Sequence, residues 1–144
     1  MQSYRVTKVI EFSYGHRLMG HAGKCRHLHG HNGLLEVDVA TETLDRLGMV
    51  VDFGDLSDVV KTWVNDHLDH RTLLRKDDPL TPLLIGQGEP IFVMEVNPTA
   101  ENIARLIAEA ARERGLNVSE VRLWETATSR ATYRPDLEAN EGRS

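Results

Sequence analysis

The stretch His29-Gly-His-Asn-Gly-Leu-Leu-Glu-Val-Asp-Val-Ala-Thr41 alternates with period two. His29, His31, Leu35, Val37 and Val39 fall on one face, against Asn32, Glu36 and Asp38 on the other. Such alternation marks a strand with one apolar side. Here that side ends in two imidazoles, so a single extended segment carries both a core face and a pair of ligands able to converge on one ion. Toward the amino terminus, Tyr4 to His16 alternates as well, with Tyr4, Val6, Ile10, Phe12, Tyr14 and His16 on one face and Lys8 as the exception. A return loop between the two runs brings His16 opposite the pair. Three neutral imidazoles leave the fourth position of a tetrahedral zinc ion open, which is the arrangement of a catalytic site. Cys25, just upstream of His29, admits two readings: a reactive thiol beside the metal, or a fourth ligand that closes a structural site. His21 and His27 read as solvated loop residues or outer partners of the ligands.

Farther along, Asp52 to His67 places Leu56, Val59, Val60 and Trp63 at helical spacing, with Asp52 or Asp55 able to cap the start. Thr99 to Arg114 is the clearest helix, with Thr99 as N-cap, Ile103, Leu106, Ile107 and Ala110 as its stripe, and Gly115 placed to stop it. Glu120 to Thr126 and Ala131 to Arg134 read as a closing hairpin. The order strand, strand, helix, helix, strand, strand is not the alternation of a doubly wound parallel sheet. It predicts an α+β domain: an antiparallel four-stranded sheet with both helices on one face. Apolar residues on both faces of the second strand point to burial by assembly into an oligomer. Asp77, Asp78, Pro79, Pro82, Gly86, Gly88 and Pro90 predict an inserted loop over 75–95, and the short apolar run Ile91 to Val96 reads as an extra strand or a helix lead-in; residues 136–144 are expected to fray.

Composition bounds the function. The 144 residues, 40% hydrophobic, suffice for one core, and no Gly/Ser/Pro-rich linker divides them, so one domain spans 1–144. A net charge of -5 with no basic stripe argues against a nucleic-acid partner. The lone cysteine forms no internal disulfide, and there is no amino-terminal apolar segment or long apolar run, so a cytoplasmic protein without membrane contact is expected. Arg17, Lys24 and Arg26 share the loop of Cys25, where cations attract an anionic substrate and favour a thiolate, or simply stay solvated. Asp69-His70 is either a proton-transfer dyad or a surface pair after a helix. Glu125, on the face of Val121 and Leu123, needs a partner: a bidentate donor such as a guanidine-like ring edge, or an internal Arg.

Taken in order, Phe12-x-x-x-His16, Cys25-x-x-x-His29-Gly30-His31, Val51-Asp52-Phe53, Leu68-Asp69-His70, Asn97-Pro98-Thr99-Ala100-Glu101-Asn102 and Trp124-Glu125-Thr126 resemble the 6-pyruvoyl-tetrahydropterin synthase family, especially its bacterial 6-carboxy-tetrahydropterin synthase branch. The resemblance implies the tunnelling fold (T-fold), closed into an oligomeric barrel as a hexamer of two stacked trimers with sites at subunit interfaces. It implies that His16, His29 and His31 hold Zn2+ and that Cys25 is the general base. Asp69 and His70 would form the partner dyad from a neighbouring subunit. Glu125 would anchor the pterin, with Thr99 and Glu101 as further substrate-binding or supporting residues. The implied reaction converts 7,8-dihydroneopterin triphosphate to 6-carboxy-5,6,7,8-tetrahydropterin, acetaldehyde and triphosphate, in queuosine biosynthesis. Triphosphate elimination without side-chain cleavage, giving the pyruvoyl product, is the first alternative, and a non-catalytic zinc or pterin-binding module the second. The chain departs from the family pattern at Tyr14-Gly15, where a pair of small residues is usual before the first His, and at Leu74, where an Asn often follows the dyad.

Overall fold

A computed structural model of the chain describes residues 3–135. Six strands and three α-helices follow in the order β1 (Tyr4–His16), β2 (His29–Thr41), α1 (Phe53–His67), β3 (Arg71–Arg75), α2 (Leu80–Gly86), β4 (Ile91–Met94), α3 (Ala100–Glu113), β5 (Val118–Thr126) and β6 (Ser129–Tyr133). The two long strands pair antiparallel over their whole lengths, from Tyr4 opposite Thr41 to His16 opposite His29. Around this hairpin the sheet runs β4-β3-β1-β2-β5-β6.

The expected four-stranded antiparallel sheet with two helices is corrected by this topology. β3 lies parallel to β1 and to β4, so the sheet is mixed, and the described residues hold three α-helices. The segment 75–95, expected as a loop, carries α2, and the apolar run after it forms β4, the strand of its two expected readings. Residues 136–144, expected to fray, lie outside the described residues.

Both long helices begin where a side chain replaces the missing backbone acceptor. Asp52 Oδ1 accepts from the amides of Gly54 (2.8 Å) and Asp55 (3.2 Å) at the start of α1. Thr99 Oγ1 accepts from the Asn102 amide (3.1 Å) at the start of α3. Gly115 ends α3 at φ +91°, a conformation that glycine adopts without a Cβ clash. α1 buries Leu56, Val60 and Val64; α3 buries Ile103, Ala104, Ile107, Ala108 and Ala111. They cover the sheet face formed by Ile10, Phe12, Tyr14, Leu35, Val37, Val121 and Leu123, giving one continuous core. That face continues into His16, His29 and His31, so the core of the domain runs directly into the histidine cluster.

The opposite face is held by charge. Asp38 is only 1% exposed, yet it lies on this polar side of β2. Arg122 of β5 grips it with two bonds of 2.7 and 2.8 Å, and Thr7 of β1 donates a third at 2.7 Å. Arg122 also pairs with Glu120 and lies 3.5 Å from Glu36. Burial alone would raise the Asp38 pKa, but the bonds from Arg122 and Thr7 outweigh it and hold the carboxyl below its usual range. Replacing Asp38 by Ala removes the acceptor that ties three strands together and should cost about 3 kcal/mol in urea unfolding at pH 7, with Asp38→Asn costing less. Because the folded pKa is depressed, this stabilisation is complete above the unfolded carboxyl value near 4 and is lost as pH falls below it. The wild-type and Asp38→Asn unfolding midpoints should therefore converge in acid.

Candidate active site

The β1–β2 register sets His16 against His29 and Tyr14 against His31. Side chains at these positions leave the core face at one end of the hairpin, and one ligand atom from each of His16, His29 and His31 lies within 4.8 Å of the others. Backbone carbonyls fix two of the tautomers. His16 Nδ1 lies 2.6 Å from the Pro98 oxygen and His29 Nδ1 2.8 Å from the His27 oxygen. A carbonyl only accepts, so each Nδ1 carries the proton and each Nε2 keeps its lone pair. Burial, partly opposed by the Pro98 carbonyl and reinforced by the neighbouring imidazoles, lowers the His16 pKa to about 4. His16 is therefore neutral, as a metal ligand must be, at physiological pH. The Nε2 atoms of His16 and His31 are buried without a hydrogen-bond partner. Orphaned lone pairs gathered at one place are what a divalent ion would satisfy, and three imidazoles suit zinc with one position left open.

Glu125 closes the other side. Its two carboxylate oxygens lie 3.8 Å from His16 Nε2 and 3.8 Å from His31 Nε2. The residue falls where β5 and β6 lose register between Trp124 and Thr126, an irregularity of the kind that re-aims a side chain. The Tyr14 hydroxyl is a third buried polar atom without a hydrogen-bond partner among the described residues. Burial, and after it the facing Glu125 charge, keep this phenol well above its ordinary pKa.

Cys25 is half-buried in a short 3-10 turn, Lys24–Arg26, and its carbonyl accepts from the Leu18 amide at 2.8 Å. Asn97 fastens the same loop twice: its Oδ1 accepts from the Met19 amide (3.1 Å) and its Nδ2 donates to the Met19 carbonyl (2.9 Å). Arg17, read from sequence as a cation for substrate, is instead committed to Asp78 through two bonds, one of them 2.8 Å from Nε. That pairing holds the Asp78 carboxyl below its usual range. Arg26 donates to the Ala22 carbonyl at 2.9 Å. The His21 ring accepts from the Gly23 amide at 2.8 Å.

Asp69 and His70 are docked on β1 immediately beside the site. The Ser13 amide donates to Asp69 (3.0 Å), the His70 amide donates to the Ser13 carbonyl (2.7 Å), and His70 Nδ1 lies 2.8 Å from Asp69 Oδ2. Burial would raise Asp69, but the Ser13 amide and His70 outweigh it and hold the carboxyl below its usual range. His70 adopts φ 58°, the one left-handed non-glycine among the described residues, as the chain turns from α1 into β3. Its ring is 81% exposed and lines a cavity of about 560 Å³ together with His29 and His31. One chain thus brings His70 of the dyad and two members of the triad to a common cavity. Thr99 and Glu101 stand apart: the Thr99 hydroxyl is engaged as the α3 cap, and Glu101 is exposed on the first turn of α3.

The sequence reading assigned no role to Tyr14, Asn97, Pro98 or Asp78. Asn97-Pro98 before a striped helix signals a turn. Nothing local announces that its carbonyl and amide reach a loop roughly 80 residues upstream, at separations of 82 and 78 residues.

The fold and the site define an α+β protein with a three-histidine centre at the end of a β-hairpin, flanked by a carboxylate and an Asp-His dyad. The 6-pyruvoyl tetrahydropterin synthase family model matches residues 5–136. A 6-carboxy-5,6,7,8-tetrahydropterin synthase from Rickettsia felis is 42% identical over 129 residues, covering 85% of this chain and 94% of its own length. A protein of the same name from Haemophilus influenzae is 33% identical over 138 residues, covering 90% and 98%. Among solved structures, the 6-pyruvoyl tetrahydropterin synthase of Caenorhabditis elegans superposes with a TM-score of 0.68 at 26% identity, over 93% of this chain and 96% of that one. An uncharacterised Wolinella succinogenes protein superposes with a TM-score of 0.81 at 28% identity, over 94% and 99%. The chain belongs to the 6-pyruvoyl tetrahydropterin synthase family, a family of enzymes. No helix among the described residues is long and apolar enough to cross a membrane.

An ion held by the three imidazoles binds the folded chain alone, so zinc at a hundredfold excess over its dissociation constant should add about 2.7 kcal/mol to unfolding. A thermal melt with and without zinc should show this rise in the wild type and lose it in His29→Ala.

Proposed function

We propose that the chain is a zinc-dependent lyase of the cytoplasm that converts 7,8-dihydroneopterin triphosphate to 6-carboxy-5,6,7,8-tetrahydropterin, acetaldehyde and triphosphate, serving queuosine or another 7-deazapurine pathway. The observation that carries this reading is the pair of orphaned, buried Nε2 atoms beside a third imidazole, in a chain 42% identical to a relative of that name. His16, His29 and His31 would hold the zinc. When bound, the metal supplies Lewis acidity toward the hydroxyls of the substrate side chain and acidifies the adjoining C–H.

The protein groups divide the rest of the work. Cys25 removes the side-chain proton, on a loop clamped by Asn97 and by Leu18 so that its position is set before substrate arrives. His70, oriented through Nδ1 by Asp69, exchanges a proton at the second carbon through its free Nε2. Glu125 accepts from the aminopyrimidine edge of the pterin, a planar donor pair that suits its two oxygens. Thr99 supports the site by fixing the start of α3, next to the carbonyl that orients His16, and Glu101, exposed on the first turn of α3, would be a further substrate contact. As the assembly we propose a homohexamer, a dimer of trimeric barrels with sites at subunit interfaces. Among the described residues both outer strands of the sheet, β4 and β6, have an unpaired edge, and Val93 of β4 and Val96 just after it are exposed. The exposed His70 can then serve a neighbouring subunit.

The pyruvoyl-forming reaction uses the same residues and differs in sparing the side chain; the likeness to the Caenorhabditis elegans synthase favours it as the second reading. Mass spectrometry of products from the zinc-loaded protein and dihydroneopterin triphosphate separates the two. Acetaldehyde with a carboxy-tetrahydropterin is expected. A pyruvoyl product transfers the chain to the other reaction, and unchanged substrate with zinc bound makes it a binding module. Cys25→Ala should lower turnover by about 10²–10⁴-fold with zinc retained. Loss of zinc in that variant would make the thiol a ligand and overturn its role as base.

A further inference from the structure

The Tyr14 side chain sits at the base of the histidine cluster, and the mechanism above does not use it. The residue is only 3% exposed, and its hydroxyl has no hydrogen-bond partner among the described residues. Leaving a buried hydroxyl unsatisfied costs about 1–3 kcal/mol, so its place here asks for a compensating contact in the working protein. The ring has no freedom to look elsewhere. It stacks on Phe12 (centroids 5.1 Å apart, 26° between planes), meets His16 edge-on at 5.2 Å and lies against the tilted ring of His31 at 5.7 Å. Gly33 makes the room: a Cβ there would lie 3.1 Å from Tyr14 Cε1. The phenol therefore faces Glu125, close enough for that carboxylate to raise its pKa, though outside good hydrogen-bond geometry.

Glu125 poses a problem for an open metal site. Its oxygens stand 3.8 Å from two of the three Nε2 atoms, and a carboxylate is a good zinc ligand in its own right. Left to itself, it would take the fourth position and close the centre against substrate. A carboxylate oxygen that accepts a hydrogen bond from a fixed donor is restrained from turning toward the ion, and a phenol with an ordinary pKa near 10 remains a donor at neutral pH.

We propose that Tyr14 is a positioning residue whose hydroxyl donates to the Glu125 carboxylate and keeps it off the fourth metal position, leaving that place to the substrate and the carboxylate to the pterin edge. This inference rests on the three-histidine metal site argued above.

The test is the zinc affinity of Tyr14→Phe, measured by chelator competition. Without the hydroxyl, Glu125 falls onto the metal, and zinc should bind roughly tenfold more tightly, the scale on which outer hydrogen bonds act at metal sites. The visible spectrum of the cobalt-substituted variant should change as an oxygen ligand is added. In a Glu125→Gln background, Tyr14→Phe should leave zinc affinity unchanged. Unchanged or weaker zinc binding in Tyr14→Phe overturns the proposal and leaves the metal site standing. So does equal tightening in the Glu125→Gln background, which would show that the hydroxyl does not act through the carboxylate. A wild-type chain that binds no zinc overturns this inference together with the metal-site reading.

Discussion

Everything in the site depends on the register of one antiparallel pair. His16 lies opposite His29 because β1 and β2 pair without interruption from Tyr4 and Thr41 onward. A slip of one residue would send a whole set of side chains through the sheet, carrying His29 and His31 to the polar face. Two opposed forces prevent it. On the core side Ile10, Phe12, Leu35 and Val37 would be exchanged for residues that α1 and α3 cannot cover. On the other side, the Asp38 carboxylate joins β1, β2 and β5 through Thr7 and Arg122, and no neighbouring position offers that carboxylate. The hydrophobic face supplies the energy and the buried ion pair supplies the specificity.

The parts of the fold legible in the sequence were those with local periodicity. β1 and β2 alternate over thirteen residues each, and the helices announce themselves through Asp52, Thr99 and their apolar stripes. The elements between α1 and α3 are harder to read, for reasons that can be named. In β3, Leu73 and Leu74 are both fully buried, so the alternation of a half-buried strand is absent, as expected for a strand with parallel neighbours. In α2 the prolines look like breakers, yet Pro79 precedes the helix and Pro82 falls in its first turn, where a missing N–H costs nothing. β4 is four residues long, too short for any periodicity to register.

The site divided along the same line. His16, His29 and His31 could be read because strand periodicity put them on one face, and Glu125 because it follows Val121 and Leu123 on another. Asp69-His70 was visible as a pair, though only the hydrogen bonds to Ser13 place it beside β1. Neither reading open to Arg17, a cation for substrate or a solvated charge, anticipates its partner Asp78, which is 61 residues away. Tyr14 reads as one more apolar residue in an alternating run; what distinguishes it is a buried hydroxyl with no well-formed hydrogen bond among the described residues, which only the packed structure reveals.

The three imidazoles and the thiol all belong to the first 31 residues, but what readies them does not. Pro98 supplies the acceptor that sets the His16 tautomer, Asn97 the brace for the thiol's loop, and Glu125 the carboxylate opposite the cluster. During synthesis a ribosome would thus release a nascent chain that owns its complete ligand set long before it owns a prepared site. Capture of an ion by the finished geometry must wait for the last third of the polypeptide to emerge and dock, which makes maturation of the centre a late event in the life of each new molecule.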